Sequence, residues 1–309
     1  MTSPPTPAIE IVEPGPFSTI QDLGRHAHAH LGVPTSGAAD QGAFRLANRL
    51  VGNAETAACL EITLGGAIVR FHAPASVALT GAPTAAKLDR RPASLMQRFH
   101  VQQGQTLRLD APAYGLRTYL AVRGGIAVPA TLGSRSTDTL SGLGPEPLQT
   151  GQVLPIGDSP EVDRSGLPDC ATTAVPTTMD PTVRVHPGPR DDWFSPDALR
   201  VLTSETWEIT AETNRVGARL SGPALEYATN SQLPSEGMVA GAIEVPPSGQ
   251  PIVFLADHPT TGGYPVIGVV HAEDIGLLSQ ARPSTRLRFR ITRYSTDLTG
   301  ETSRHTHLT

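Results

Sequence analysis

Apolar and charged residues alternate along the chain from Arg286 to Ile291, in the run RLRFRI. Successive side chains of a strand point to opposite faces, so this pattern predicts a strand with one buried face. The run at 106–109 has the same alternation, and the apolar runs at 76–81, 251–257 and 265–270 are bounded by Gly, Pro or Asp. Many such short strands favour mostly antiparallel sheets that close as barrels or sandwiches.

Glycine and proline, with 30 and 29 residues, together make up 19% of the 309 residues. This fraction is well above the average of about 12% for the two residues combined. This excess favours short elements joined by tight turns, with few helices. We predict three helices, at 41–51, from about 195 to 203 and at 273–280. The first is the best defined, because Asp40 is a natural N-cap and Gly52 a natural stop at the C-terminal end.

The apolar pattern is lost between 157 and 183, where the sequence is rich in Pro, Thr and Asp. We therefore predict an N-terminal β lobe at 8–157, a linker at 158–182, a C-terminal β lobe at 183–292 and a flexible tail at 293–309. The expected fold class is mainly β, in two lobes with a few short helices.

Charge and composition argue against several classes of function. The formal net charge is −5 and 17% of the residues are charged, so no large basic surface is available for nucleic acid. The N-terminal residues lack the features of a secretory signal, and no apolar run approaches the roughly 18 residues of a membrane span. We therefore expect a cytoplasmic protein with neither a nucleic acid nor a membrane as its partner.

Lysine occurs once, at Lys87, and every other residue of the Lys and Arg class is arginine. A nucleotide-binding P-loop needs a lysine directly after its glycines, and Lys87 lies instead in the run TAAKLDR. Biotin and lipoate are also carried on a lysine, usually at a hairpin tip, which this run does not resemble. Any ATP chemistry would therefore need another binding mode or another subunit, and a carried cofactor such as biotin would need a partner protein.

Polar residues that suit a site are concentrated in three glycine-marked segments, at 14–40, 188–194 and 235–264. In the third, a predicted buried strand delivers Asp257 to a glycine-rich loop, where backbone N–H groups can converge on an anion. Structural roles also fit these residues, since Asp257 can cap a turn and the pair Asp22 and Arg25 can pin a loop.

Both halves of the chain also contain runs that resemble one known family. They are PGPFSTIQDLGR, HLGVPTSGAAD, RLANRLVGN, LEITLGG, YLAVRGGI and LGSRSTD in the first half, and PGPRDDWF, NRVGARLSGPAL, SEGMVAGAIEVPPSGQPIVFLADHPTTGGYPVIGVV and RPSTRLRFR in the second. The family is the biotin-dependent carboxyltransferase-like family, also called allophanate hydrolase subunit 2. The resemblance runs from about residue 9 to 292 and implies two cyclophilin-like β-barrel lobes.

Members of that family serve different reactions, and the resemblance implies three alternatives. The preferred one is the C subunit of an ATP-dependent 5-oxoprolinase, which is inactive alone. The complete enzyme hydrolyses 5-oxoproline to glutamate, and its other parts are a subunit that resembles the sporulation-kinase inhibitor, here called the inhibitor-like subunit, and a lactam-utilisation subunit. A second is the carboxyltransferase part of a urea or amide carboxylase, with biotin supplied by a partner. A third is a non-catalytic regulator that binds the inhibitor-like subunit.

Both enzyme alternatives require donors that polarise an amide or ureido carbonyl and a carboxylate that positions or deprotonates the attacking group. As catalytic residues we predict Asp257 first, then Glu236 and Arg190. As substrate-binding residues we predict Thr261, Gly262, Gly263, Tyr264, Gln250, His30, Asp22, Arg25 and Ser36.

Three histidines at alternate positions, His26, His28 and His30, would share one face of an extended chain and so raise the question of a metal site. The family's form of this loop matches His30, whereas it has Pro at the position of His26 and Tyr at that of His28. We therefore predict no metal site and a polar role for His30. A second departure is His258-Pro259, where the 5-oxoprolinase-like form often has a glutamine.

Overall fold

The computed structural model describes residues 7–158, 170, 180–229 and 233–292. The predicted tail at 293–309 and most of the predicted linker at 158–182 lie outside these residues. The fold is mainly β, with three short α-helices in the described ranges, and this confirms the predicted fold class. We call residues 7–158 the first lobe and residues 180–292 the second lobe.

The strands of the first lobe form two antiparallel sheets. They are β1 (Ala8–Pro14), β2 (Phe17–Gln21), β3 (Cys59–Thr63), β4 (Ala67–Phe71), β5 (Ala75–Gly81), β6 (Ala86–Leu88), β7 (Arg91–Ala93), β8 (Arg98–Val101), β9 (Thr106–Leu109), β10 (Arg117–Val122) and β11 (Val153–Pro155). The sheet orders are β11-β1-β4-β9-β6-β7 and β2-β3-β10-β5-β8. Both sheets bury aliphatic side chains in one core, such as Ile11 and Val69 from the first and Leu60 and Leu120 from the second.

The predicted helix at 41–51 is confirmed as α1 (Gln41–Val51), which packs its apolar face against β5 and β10. Asp40 caps it, because its side chain accepts a hydrogen bond from the backbone N–H of Ala43 at 3.0 Å. Gly52 ends it in the left-handed conformation, at φ 74°.

The second lobe contains a closed barrel of seven strands. They are β12 (Thr182–Pro187), β13 (Trp207–Ile209), β14 (Gly217–Ser221), β16 (Ala242–Glu244), β17 (Ile252–Phe254), β19 (Val266–Val270) and β20 (Arg286–Ile291), in the order β12-β19-β16-β17-β14-β13-β20. A parallel pairing of β12 with β20 closes the barrel. A separate pair of short antiparallel strands, β15 (Glu236–Gly237) and β18 (Thr261–Gly262), forms what we call the ribbon.

The alternating run at 286–291 is confirmed as β20, in which Leu287 and Phe289 are buried between exposed arginines. Ile291, predicted on the buried face, is exposed at the end of the strand. Leu287 and Phe289 thus pack into the barrel core, as the alternating pattern predicts.

The other two predicted helices are present, but their ends differ from the prediction. Helix α2 (Ala198–Ser204) begins later than predicted, because the backbone N–H of Ala198 bonds to Ser195 in a preceding turn. Helix α3 (Ile275–Gln280) follows a 3-10 turn at Ala272–Asp274. Within the described ranges, no helix has the length and apolar character needed to cross a bilayer.

Candidate functional site

The two lobes meet at a buried group of charges, which we call the interlobe cluster and define as Glu61, Arg117, Arg215 and Asp257. Arg215 donates to Asp257 from Nε at 2.9 Å and from Nη2 at 2.8 Å, and its Nη1 binds Glu61 of the first lobe. Arg117 Nε lies 3.4 Å from Glu61 Oε1. Because two cations balance two carboxylates, the cluster buries no net charge.

Asp257 is held from both lobes. Ser36 Oγ donates to Asp257 Oδ1 at 2.7 Å, and the backbone N and Oγ1 of Thr139 donate to Oδ2 at 3.0 and 2.7 Å. Burial by itself would raise the pKa of Asp257, but Arg215 and these donors hold it below its usual value. The structure thus brings Ser36 and Asp257, both predicted site residues, into direct contact.

This geometry does not suit Asp257 to deprotonate the attacking group, which is one of the two actions predicted for it. Its two oxygens accept five hydrogen bonds, and its side chain is 0% exposed. A general base needs a lone pair that faces the substrate. Asp257 joins the lobes instead.

Asp22 and Arg25 also bind the protein itself. Asp22 accepts hydrogen bonds from Ser134 Oγ and Ser136 Oγ, both at 2.6 Å, and Arg25 donates to the Ser136 carbonyl at 2.5 Å. Both are buried. These contacts fit the alternative role, in which the pair pins a loop, and the role in substrate binding stays a prediction.

The three histidines do not lie along one face of an extended chain. The backbone turns at Ala27, with φ 68°, and residues Ala29–Leu31 form a 3-10 turn, so the segment is not extended. His30 is exposed and lies in that turn. Among the described residues, no group of three or more His, Cys, Asp or Glu side chains is arranged to hold a metal ion.

A second group of predicted residues comes together at the ribbon. Glu236 pairs with Gly262 across the two ribbon strands. Arg190, from the loop after β12, donates from Nε to both Glu236 oxygens, at 2.9 and 3.1 Å. The hydrogen bond to Arg190 lowers the pKa of Glu236, so this pair stays charged on a partly exposed surface. The segments at 188–194 and 235–264 thus converge at the ribbon.

Glu244 at the end of β16 is a residue that the sequence analysis missed. It is only 6% exposed, and its Oε1 accepts a hydrogen bond from the backbone N of Tyr264 at 3.2 Å. Burial raises its pKa above the usual value. A single acidic residue inside the buried strand run AIEV was the available signal, because a carboxyl is rarely buried without a reason.

The two glycines beside Glu244 differ in their surroundings. A Cβ on Gly262 would lie 2.5 Å from Glu244 Oε1 and 2.8 Å from Met238 Cε, whereas a Cβ on Gly263 would meet no heavy atom within 4 Å. Tyr264 is 44% exposed. Gly262 is therefore needed to admit the carboxyl, and Gly263 borders open space. We call Glu244, Gly262, Gly263 and Tyr264, with the Arg190–Glu236 pair, the ribbon site.

Gln250 does not join the ribbon site. Its amide accepts from the backbone N of Gly222 at 2.9 Å and donates to the carbonyl of the same residue at 3.0 Å. These two hydrogen bonds occupy one edge of the amide and give Gln250 a structural role, while its role in holding a substrate amide stays a prediction.

A cavity of about 790 Å³ lies between the lobes, beside the interlobe cluster. Its walls come mainly from α1, α3 and the loops at 81–83, 113–115 and 281–285. Asp40 and Gln280 join the lobes at this cavity through a hydrogen bond of 2.8 Å. None of the predicted site residues lines it.

Comparison with known proteins identifies the family of the chain. The family described as "Carboxyltransferase domain, subdomain A and B" matches residues 31–291, most of the chain. The chain belongs to the carboxyltransferase domain family. This confirms the resemblance found in the sequence.

Relatives of the chain within this carboxyltransferase family bear two kinds of name. The chain is 38% identical to the C subunit of 5-oxoprolinase from Escherichia coli, over 88% of this chain and 87% of that protein. It is 34% identical to urea amidolyase of Lachancea kluyveri, over 91% of this chain but 17% of that protein. Its fold is similar to that of the K. lactis urea amidolyase, with a TM-score of 0.86 and 30% identity, over 95% of this chain and 19% of that one.

Proposed function

We propose that the chain is the C subunit of a cytoplasmic, ATP-dependent 5-oxoprolinase. The observation that supports this most is the extent of similarity, since the alignment takes in 87% of the E. coli 5-oxoprolinase subunit but 17% of the urea amidolyase. Activity is better carried over from a relative that is aligned over nearly its whole length. The proposed partners are an inhibitor-like subunit and a lactam-utilisation subunit.

In this proposal the ribbon site binds the lactam. Hydrolysis of a lactam builds negative charge on its carbonyl oxygen, and a donor fixed at that point is worth about 3–4 kcal/mol. Arg190 and the hydroxyl of Thr261 are the proposed donors, with Glu236 holding the Arg190 guanidinium in place. Gly263 and Tyr264 border the open space where the substrate would lie.

ATP is proposed to bind one of the partner subunits, because this chain lacks a lysine in a glycine-rich phosphate loop. Its contribution would be to activate the lactam for attack by water. We assign no residue of this chain to the phosphates.

The test is release of glutamate from 5-oxoproline by the chain mixed with ATP and both partner subunits. We expect glutamate only when all three proteins are present. The matched control is the mixture of the two partners without this chain. If the full mixture makes no more glutamate than the two partners do, the proposed function is wrong, and the regulator alternative is favoured when the chain still binds the inhibitor-like subunit.

A second candidate is the carboxyltransferase part of a urea or amide carboxylase, which the fold similarity to urea amidolyase favours. Biotin would be carried by a partner. Lys87 does not suit a biotin carrier site, because it lies within β6 and its Nζ is 3.9 Å from Asp110. This candidate predicts that urea is carboxylated only when a biotinylated partner is added, and that 5-oxoproline is not hydrolysed.

A further inference from the structure

Glu244 is a buried carboxyl that lies under the ribbon without a cation. Its Oε1 is bonded to the backbone N of Tyr264, and in the described part of the chain no Arg, Lys or His side chain is within ion-pair distance of it. Buried carboxylates are normally paired with a cation or several donors. Charge pairing therefore does not explain why a carboxyl is buried at this position.

The groups packed around Glu244 favour its neutral form. Met238, Phe254 and Val266 form a small apolar cluster on the same outer face of the barrel. The nearby charges of Arg190 and Glu236 are paired with each other on the ribbon.

Three other titratable side chains lie near Glu244, namely Tyr227, His258 and Tyr264. Burial first, then Glu244 and Tyr264, raise the pKa of Tyr227 to about 12, and its hydroxyl donates to the Val245 carbonyl. The ring of His258 lies 6.2 Å from that of Phe254, and its Nδ1 is 2.8 Å from the Pro259 carbonyl. Tyr264 is half exposed beside the open space.

A neutral carboxyl offers an O–H donor and a carbonyl acceptor side by side. A lactam, a primary amide and urea each offer the complementary edge, an N–H and a C=O on the same side of the C–N bond. In a five-membered lactam the ring locks this arrangement. The two groups can therefore form a pair of parallel hydrogen bonds.

The position of Glu244 allows such a pair. A carbonyl-type oxygen has two lone pairs, so Oε1 can accept from Tyr264 and from a substrate N–H together. Oε2 forms no hydrogen bond to any described residue and is left for the substrate carbonyl. The open space at Gly263 lies directly next to Gly262, whose missing side chain admits the carboxyl.

We propose that Glu244 binds the syn N–H and C=O edge of a cyclic amide through paired hydrogen bonds at the ribbon site. The identity of that amide as 5-oxoproline rests on the proposed function, but the edge recognition does not. Glu244 selects compounds with an unsubstituted amide edge.

Two substitutions separate this role from proton transfer. Glu244→Gln keeps a donor and an acceptor on one edge, so we expect binding within about threefold of the wild type. Glu244→Leu removes both hydrogen bonds, so we expect binding to weaken at least tenfold. Glu208→Leu, on an exposed position of β13, is the matched control and should change nothing.

The experiment measures binding of 2-pyrrolidinone and N-methyl-2-pyrrolidinone to the full chain by ligand-observed NMR at pH 6. We expect the first to bind and the second, which has no N–H, to bind at least tenfold more weakly. Equal binding of the two compounds, no effect of Glu244→Leu, or an equal loss with Glu244→Gln and Glu244→Leu would each overturn the proposal. Circular dichroism of each variant checks that the fold is kept.

Failure of the two proposals is distinguishable. If the reconstituted mixture releases no glutamate but the chain binds 2-pyrrolidinone through Glu244, the proposed function fails and edge recognition stands. If glutamate is released normally by the Glu244→Leu variant, with an unchanged KM for 5-oxoproline, edge recognition fails and the proposed function stands.

Discussion

At the scale of single residues, two adjacent glycines have different reasons to be glycine. Gly262 leaves room for the Glu244 carboxyl and Met238, whereas Gly263 borders open space. Sequence patterns treat the pair as one turn signal. Only the side chains packed against each of them tell the two apart.

We expect Gly262→Ala to destabilise the protein by about 1–3 kcal/mol, because the new methyl group overlaps Glu244 Oε1. Gly263→Ala should change the free energy of unfolding by less than about 0.5 kcal/mol. Urea unfolding curves of both variants check this. Equal effects would show that the carboxyl does not occupy the space next to Gly262.

The Glu244 carboxyl should also give the protein a pH-dependent stability. Its pKa is raised by burial, so above the unfolded-state pKa the folded protein holds its proton more tightly than the unfolded chain does. The free energy of unfolding therefore falls as pH rises from the pKa of Glu244 in the unfolded chain through its pKa in the folded protein. Glu244→Gln should remove this part of the decline, as measured by urea unfolding at steps between pH 4.5 and 8; an unchanged profile would contradict it.

At the scale of elements, helix α1 ties its own start to α3. Asp40 caps α1 through the backbone N of Ala43 and accepts a second hydrogen bond from Gln280 of α3. The cap is local and was predicted from the sequence. The contact with Gln280 spans 240 positions and was not.

Asp40→Ala should destabilise the protein by about 1–2 kcal/mol through loss of the cap alone. Asp40→Ser keeps a capping hydroxyl and loses only the bond to Gln280, so it should retain more stability than Asp40→Ala. Thermal unfolding of the two variants checks this order. If serine is no better than alanine, the cap contributes less than its bond to Ala43 indicates.

At the scale of the whole molecule, the interlobe cluster holds the two lobes together. Arg215 of the second lobe binds Glu61 of the first lobe, and Ser36 and Thr139 of the first lobe bind Asp257 of the second. Asp257, the predicted base, is thus a joint between the lobes.

Removing Arg215 should therefore destabilise the protein strongly. We expect Arg215→Leu to cost about 3–5 kcal/mol, because it leaves two buried carboxylates without their main cation. Arg45→Leu, which removes a half-exposed pair with Glu55, is the control and should have little effect. Urea unfolding is the measurement, and similar curves for the two variants would contradict a lobe-joining role.

The cluster should also set the acid limit of stability. Burial would raise the pKa of Glu61 and Asp257, but Arg215 and their other partners lower both. The stabilisation is thus fully present above the unfolded-state pKa values and is lost as pH falls through the lower folded values. Unfolding free energy measured from pH 7 down to 3 should fall at the acid end, and less steeply in Asp257→Asn, whose starting stability is lower.

The sequence alone determined the elements whose cause is local. The alternation in β20 and the cap and stop of α1 depend on neighbours within a few residues, so their patterns are visible in the chain. Motifs in both lobes also determined the family. The tertiary structure decided the roles of the polar residues. Asp257 is a lobe joint because Ser36 lies against it from 221 positions away, and the pKa of Glu244 is raised because the ribbon buries it. The chemistry of a carboxyl depends on its partners and its exposure to water, and both are set by segments that meet only in the folded protein.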